Sequence, residues 1–151
     1  MYGSQIWGSL NSGQFKQLER VNHKFMRFTA FRIGAPMKFT DHDYSPISLK
    51  LGISSVQSAA VRLDLIYLGK IFNNMVDCSS IVNGMNLNVP MRLLRGLSYS
   101  FKLLYPTDPY SFKSVTTRIC NSYNLNNSLF DLFSDKMGTI RRLSCKLLEY
   151  N

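Results

Sequence analysis

The composition of this 151-residue chain sets its broad class. Hydrophobic residues make up 45% of the sequence and aromatic residues 13%, which excludes a compositionally disordered protein and allows a modest core. Lysine and arginine number 18 against 9 aspartate and glutamate residues, a formal charge of +9. This balance favours a polyanionic partner, either nucleic acid or an acidic membrane surface, although an ordinary basic domain has the same balance.

The cysteines and the hydropathy bear on the compartment. Cys78, Cys120 and Cys145 are widely spaced, and neither His23 nor His42 lies at metal-ligand spacing from any of them. An odd cysteine count without a signal peptide predicts a reducing, intracellular location, nuclear or cytoplasmic. No apolar run approaches the roughly 20 residues of a membrane span, so we expect no transmembrane segment.

The first strong periodicity predicts a helix over about 13–33, with Ser12 as N-cap and Gly34 as the stop. The ten residues before it resemble the end of an element whose beginning is missing. One broad face, expected to pack against the fold, carries the apolar residues Phe15, Leu18, Val21, Phe25, Met26 and Phe28. The opposite face carries a basic stripe of Lys16, Arg20, Lys24 and Arg27, with His23 beside it.

The basic stripe carries an electrostatic cost. Like charges at i+4 spacing repel by about 0.2–0.5 kcal/mol per pair, and Glu19 is the only acid in this helix. A phosphate backbone or an acidic surface opposite the stripe would relieve the repulsion. A solvated basic face is the alternative.

The middle of the chain predicts three further helices. A short one over about 46–51 ends at Gly52. The next, over about 55–74, is capped by Ser55, or by Ser54 with Gln57 in a capping box. It is apolar nearly all round, which indicates a central position in a bundle. A short helix over 78–83 and a loop over 84–90 follow.

The remaining residues predict two helices and little strand. Residues 97–105 favour an extended conformation, and helices are predicted over about 111–123 and, after a Ser134 cap, about 135–150. A loop is expected between these helices at 124–128, followed by a short apolar turn. The last helix has a basic face of Arg141, Arg142 and Lys146. Residues 1–151 are therefore predicted as a single, mainly α domain: an irregular multi-helix bundle with short helices and at most a minor extended hairpin.

Catalytic constellations are absent from the sequence. A polymerase needs clustered carboxylates to hold Mg²⁺, and only Asp41 and Asp43 are close together, in a segment with His42. Two carboxylates and a histidine on a loop more often face solvent than hold a metal. No glycine-rich phosphate loop or activated nucleophile is present. We therefore expect no enzymatic activity of the chain alone, no cofactor and no metal.

Eight short motifs occur in one order along the chain. They are YGSQIW (2–7), LERVNHKFMRF (18–28), KLGI (50–53), SVQ (55–57), RLDLI (62–66), LNVP (87–90), RICN (118–121) and LFDLF (129–133). This series resembles the segment that follows the polymerase core in jockey-like non-LTR retrotransposon reverse transcriptases. Each motif alone is weak, and the resemblance rests on their collinearity.

The resemblance implies a thumb and connecting helices that lie along the template–primer duplex. The catalytic palm, with its aspartate pair, belongs upstream in that family, so this chain would be a fragment of an RNA-directed DNA polymerase. The chain departs from the family at Ala59 and Ala60, where arginines are common, which puts contacts from that turn in doubt. No cysteine–histidine knuckle follows the last helix, so a zinc module is not implied.

Three hypotheses for function follow. The first is a fragment that contacts a nucleic-acid backbone without base readout, through Lys16, Arg20, Lys24 and Arg27, then Arg141, Arg142 and Lys146. The second is an interaction protein whose basic amphipathic helix lies on an acidic membrane or in a partner's groove. The third is a decayed fragment with no selected function.

Overall fold

A computed structural model describes residues 12–34, 44–89, 102–104, 115–126 and 129–145. Helices make up 70% of these residues, beside a small two-stranded antiparallel sheet. The predicted mainly α fold is confirmed. The predictions made for residues 1–11, 41–43, 90–101, 105, 111–114, 127–128 and 146–150 lie outside the described residues.

Six helices and two strands follow one another in the described part of the chain. They are α1 (Ser12–Arg32), α2 (Ser45–Leu51), α3 (Val56–Phe72), α4 (Ser79–Asn83), β1 (Asn86–Asn88), β2 (Lys102–Leu104), α5 (Val115–Asn126) and α6 (Met137–Cys145).

The ends of the first three helices follow from local chemistry. Gly34 and Gly52 both have φ of +63°, a left-handed conformation that ends α1 and α2 as predicted. Ser55 caps α3, because its Oγ accepts the backbone N–H of Ser58 at 3.1 Å. After α3, Asn74 takes the same left-handed role with φ of +55°, and Met75 N–H reaches the Lys70 carbonyl at 2.8 Å.

The chain divides into two compact units, and the boundary falls within α3. The N-terminal unit comprises the described residues from Ser12 to Ala59, and the C-terminal unit those from Ala60 to Cys145. Each is described below by itself. The prediction of a single domain over residues 1–151 stays a prediction.

The core of the C-terminal unit is apolar and closely packed. Its buried members are Leu65, Leu68, Leu103, Ile119, Cys120, Tyr123, Phe130, Leu132 and Ile140, none more than 1% exposed. Helix α3 contributes to this core, as its apolar sequence predicted. Gly69 allows the close approach of α6, because a Cβ there would lie 2.9 Å from Ile140 Cδ1.

A buried ion pair joins α3 to α5 in this unit. Arg118 Nε donates to Asp64 Oδ2 at 2.8 Å, and Arg118 Nη2 donates to Asp64 Oδ1 at 2.9 Å. Asp64 is only 2% exposed, so its charge depends on this two-point contact. The pair brings together the RLDLI and RICN motifs, which lie more than fifty residues apart in the sequence.

The sheet corrects two of the predictions. Strand β1 lies where a loop was expected, with Leu87 opposite Leu103 in β2. Helix α5 continues to Asn126, although residues from 124 were expected in a loop. The reason lies in Asn124: its amide accepts the Leu103 N–H at 2.9 Å and donates to the Leu103 carbonyl at 2.8 Å. Through these two hydrogen bonds, Asn124 on α5 pairs with the backbone of β2 in the way that a neighbouring strand would. Local patterns do not reveal this contact, because the two residues are far apart in the sequence.

Helix α6 begins at Met137, two residues later than predicted, and Ser134 is not its cap. The preceding turn is closed by two aspartates instead. Asp135 accepts the Asp131 N–H at 2.8 Å, and Asp131 accepts the Phe133 N–H at 2.9 Å. These bonds hold residues 131–135 in a turn and delay the helix.

Candidate nucleic-acid interface

Helix α1 packs through a different side from the one predicted. Met26 and Ala30 are buried, at 3% and 1% exposure, in a small cluster with Tyr44 and Ile47. Most of the broad apolar face stays in solvent: Leu18 is 38% exposed, Val21 63%, Phe25 55% and Phe28 58%. The expectation that this face packs against the fold is therefore wrong for these four residues, while Met26 is buried and Phe15 is partly buried.

A polar seam, in which Glu19 and Asn22 contact residues 54–56, explains which side of α1 packs. Glu19 Oε2 accepts the backbone N–H of Val56 at 2.8 Å, at the first residue of α3, and Oε1 accepts from Asn22 Nδ2 at 3.0 Å. Asn22 also donates to the Ser54 carbonyl at 3.3 Å. The carboxylate lies at a helix N-terminus, where an unsatisfied N–H and the helix dipole favour negative charge. Counting apolar residues does not detect a packed side built partly from Glu19 and Asn22.

The predicted basic stripe is exposed along its length. Lys16, Arg20, Lys24 and Arg27 all lie on the solvent side of α1. At about 100° per residue they share an arc of about 80°, close to the packed side. Glu19 lies beside the stripe, and its carboxylate contacts the Val56 N–H, Asn22 and, at 3.5 Å, His23 Nε2. The stripe therefore concentrates four positive charges on one exposed arc of the helix.

Arg27 differs from the other three cations. Its Nη2 donates to the Tyr44 hydroxyl at 2.6 Å, and its guanidinium carbon lies 6.0 Å from the Tyr44 ring centre. His23 stacks on the same ring at 4.2 Å between centroids, tilted by 14°. These contacts hold the C-terminal end of the stripe in a fixed position, while Lys16, Arg20 and Lys24 extend into solvent.

Phenylalanines lie among the cations on the exposed side of α1. Phe28 lies one turn after Lys24 and one turn before Arg32, whose guanidinium carbon is 5.5 Å from the Phe28 ring centre. Phe31, at 79% exposure, lies one turn after Arg27. The sequence pattern predicts Phe25 and Phe28 on the packed face and gives Phe31 no role. The available signal was the i+4 row in which Lys24, Phe28 and Arg32 follow each other.

The second predicted basic surface lies on α6. Arg141 and Arg142 are exposed, whereas Ile140 and Ser144 on the other side of the helix are buried. Lys146 lies outside the described residues. Arg141 and Arg142 belong to the C-terminal unit and the α1 stripe to the N-terminal unit.

Other chemistry is sparse in the described part of the chain. No group of three or more histidine, cysteine, aspartate or glutamate residues there is placed to hold a metal ion. Among the same residues, no helix is both long and apolar enough to cross a membrane. Ala59 and Ala60 are buried, at 6% and 5% exposure, so these two side chains offer no surface for a ligand.

The thiols differ in their surroundings. Burial raises the pKa of Cys120 to about 11, so this thiol stays protonated in the core. A hydrogen bond with Tyr67 lowers the pKa of Cys78, which is partly exposed. No histidine accompanies either cysteine among the contacts of the described residues, so neither forms a nucleophile–base pair.

No protein-family model, curated protein or solved structure matches this chain.

Proposed function

We propose that this chain binds the backbone of nucleic acid through α1, as a thumb-like C-terminal part of a retrotransposon-derived RNA-directed DNA polymerase. Its contribution is electrostatic positioning without base readout. Catalysis would belong to a palm encoded upstream. The observation that supports the proposal most strongly is the stripe of Lys16, Arg20, Lys24 and Arg27 on one exposed arc.

The contacts of Glu19 also support the proposal. A basic helix in an ordinary solvated surface usually gains from nearby carboxylates at i+3 or i+4. Here the only acid of α1 accepts the Val56 N–H at 2.8 Å and lies 3.5 Å from His23 Nε2. The cations of the stripe, at i+4 spacing, still repel one another. Phosphates spaced along a polynucleotide would relieve this repulsion, because each contact neutralises a cation and releases a condensed counterion.

The evolutionary origin rests on the order of the motifs. The ion pair between Asp64 of RLDLI and Arg118 of RICN supports a common structural role for two of them. The genomic sequence upstream of Met1 tests the origin: an open or decayed frame that encodes a polymerase palm is expected there. Upstream sequence with no relation to a polymerase would contradict this origin.

The binding test uses the full chain and a duplex at several salt concentrations. Replacing Lys16, Arg20, Lys24 and Arg27 by glutamine should weaken binding to any sequence about equally. It should also flatten the slope of log affinity against log salt by about 0.9 per lost phosphate contact. A matched variant with Lys50, Lys70, Lys102 and Lys136 changed to glutamine removes the same charge elsewhere and should change the slope much less.

The variant must remain folded for this comparison. Because Arg27 also bonds to Tyr44, a triple variant that keeps Arg27 separates the loss of charge from the loss of that contact. If both α1 variants keep their helical circular dichroism and the wild-type salt slope, the stripe is a solvated face and the proposal fails. Binding of the wild type to anionic vesicles but not to nucleic acid would instead support the membrane alternative.

A further inference from the structure

The exposed side of α1 carries more than charge. Phe25, Phe28 and Phe31, which follow one another at intervals of three residues, are 55%, 58% and 79% exposed. The buried side of the same helix carries Met26 and Ala30. Burying one such side chain is worth about 1.5–3 kcal/mol. Three exposed rings in consecutive turns of one helix form an apolar patch that is open to a ligand.

The arrangement of the rings identifies the kind of ligand. The i+4 row Lys16, Arg20 and Lys24 continues into Phe28 and then Arg32, so a ring lies between two cations. Arg32 lies over Phe28 at 5.5 Å, and Phe31 follows Arg27 by one turn. In the last two turns of α1 aromatic and cationic side chains are thus interleaved. Phe31 lies within the arc of the stripe, and Arg32 lies among the exposed apolar side chains that continue back to Val21 and Leu18.

The interleaving of rings and cations distinguishes three classes of partner: a bilayer, a duplex and a single strand. A helix that lies in a bilayer interface needs an apolar face segregated from a polar one, because the apolar face enters the acyl region. A duplex offers phosphates, but its base faces are stacked inside and the phenylalanines would meet only the charged backbone. A single strand offers phosphates and unstacked base faces together, which cations and aromatic rings bind side by side.

We infer that the exposed face of α1 binds single-stranded nucleic acid in preference to duplex. Phe25, Phe28 and Phe31 stack on bases, and Lys24 and Arg32 neutralise the phosphates between them. Stacking of this kind tolerates any base, so it agrees with binding that has no base readout. The inference rests on the proposed function and names the form of nucleic acid that the same helix takes.

The test compares three probes by fluorescence anisotropy with the full chain: an oligothymidine of about 12 nucleotides, an abasic strand of the same length, and a duplex of the same length. The oligothymidine should bind most tightly. Changing the three phenylalanines to alanine should weaken its binding about 100-fold or more, while the abasic strand changes little. The salt slope should stay unchanged, since no cation is removed.

Two matched variants define the controls. Replacing the three phenylalanines by leucine keeps apolar bulk and removes the rings, so it should weaken oligothymidine binding nearly as much as alanine does. Replacing Leu49, Leu87 and Leu125 by alanine removes three other exposed apolar side chains and should leave binding unchanged.

The possible failures are distinguishable. Equal binding of abasic strand and oligothymidine, or full binding by the leucine variant, overturns the stacking inference. If the glutamine variant of the stripe then still shows a flattened salt slope, the proposed backbone binding stands alone. If the wild type binds no probe at low salt, both fail. Binding to phosphatidylserine vesicles that the alanine variant loses, without any loss of oligothymidine binding, assigns the rings to a membrane and also overturns the inference.

Discussion

A phenylalanine between α5 and α6 and one on α1 show how the same residue type has different surroundings in the two units. Phe130 is fully buried in the C-terminal unit and meets Tyr123 edge to face, with 5.9 Å between ring centres. Phe28 is 58% exposed and has a guanidinium over its ring. The C-terminal unit buries Phe130 and Tyr123 in its core, whereas its Phe133 is 60% exposed. The N-terminal unit holds α1 with a small cluster and a polar seam, which leaves the aromatic side chains of α1 available to a ligand.

The largest expected effect tests this contrast directly. Phe130→Ala should lower the free energy of unfolding by about 3–5 kcal/mol, because it leaves a cavity in a closely packed core. Phe28→Ala should change it by no more than about 0.5 kcal/mol, because the ring is mostly in solvent. Urea unfolding of both variants provides the measurement. A cost above about 2 kcal/mol for Phe28→Ala would show that the exposed face of α1 is a packed surface after all.

The ion pair of the C-terminal unit should give the next effect. Asp64→Leu leaves the Arg118 guanidinium without its carboxylate, at a cost of about 3 kcal/mol in the free energy of unfolding. The double variant Asp64→Leu with Arg118→Met removes both charges and should recover most of that loss. Thermal unfolding of the two variants tests this, and a double variant as unstable as the single one would mean that the pair is worth more than its apolar replacement.

A smaller effect is expected at the seam of the N-terminal unit. Glu19→Ala leaves the Val56 N–H without its acceptor and should cost about 1 kcal/mol, similar to the loss of a helix cap. Glu19→Gln keeps an acceptor oxygen and should cost less. Because both variants also remove a negative charge beside the stripe, both should bind nucleic acid more tightly than the wild type. Weaker binding by a folded Glu19→Gln variant would contradict the role given to the stripe.

The pH dependence of alkylation at Cys120 and at Cys78 compares a buried thiol with a partly exposed one. Cys120 should react with iodoacetamide only as the pH approaches about 11, since its pKa is raised and its side chain is buried. Cys78 should react at lower pH than an ordinary thiol, because the Tyr67 hydrogen bond favours its thiolate. Tyr67→Phe should move the Cys78 profile to higher pH. Mass spectrometry of labelled peptides gives the three profiles, and an unchanged profile for Cys78 in the variant would remove Tyr67 as the cause.

Local patterns predicted much of the fold and the wrong side of one helix. The helices, the glycine stops at Gly34 and Gly52 and the Ser55 cap follow from residues close in sequence, so the sequence contains their signals. The start of α6 depends on Asp131 and Asp135, and the sheet depends on Asn124 pairing with Leu103, a contact over 21 residues. The packed side of α1 depends on Glu19 meeting the N-terminus of α3, over 37 residues.

The candidate site was predicted in part for the same reason. The spacing of Lys16, Arg20 and Lys24 fixes a shared helix face whatever the fold around it. The role of Phe25, Phe28 and Phe31 depends on which side of α1 is buried, and amphipathicity alone pointed to the wrong side. Their exposure in the structure removes these residues from the expected core and makes them candidate ligand contacts.

Photo-crosslinking tests the central claim most directly. A single strand carrying 5-iodouridine is irradiated with the full chain at low salt, and the crosslinked peptides are located by mass spectrometry. The account predicts crosslinks within residues 24–32, on Phe25, Phe28 or Phe31, which disappear when the three are changed to alanine. Crosslinks confined to residues 115–145, or crosslinks to α1 that persist in the alanine variant, would contradict it.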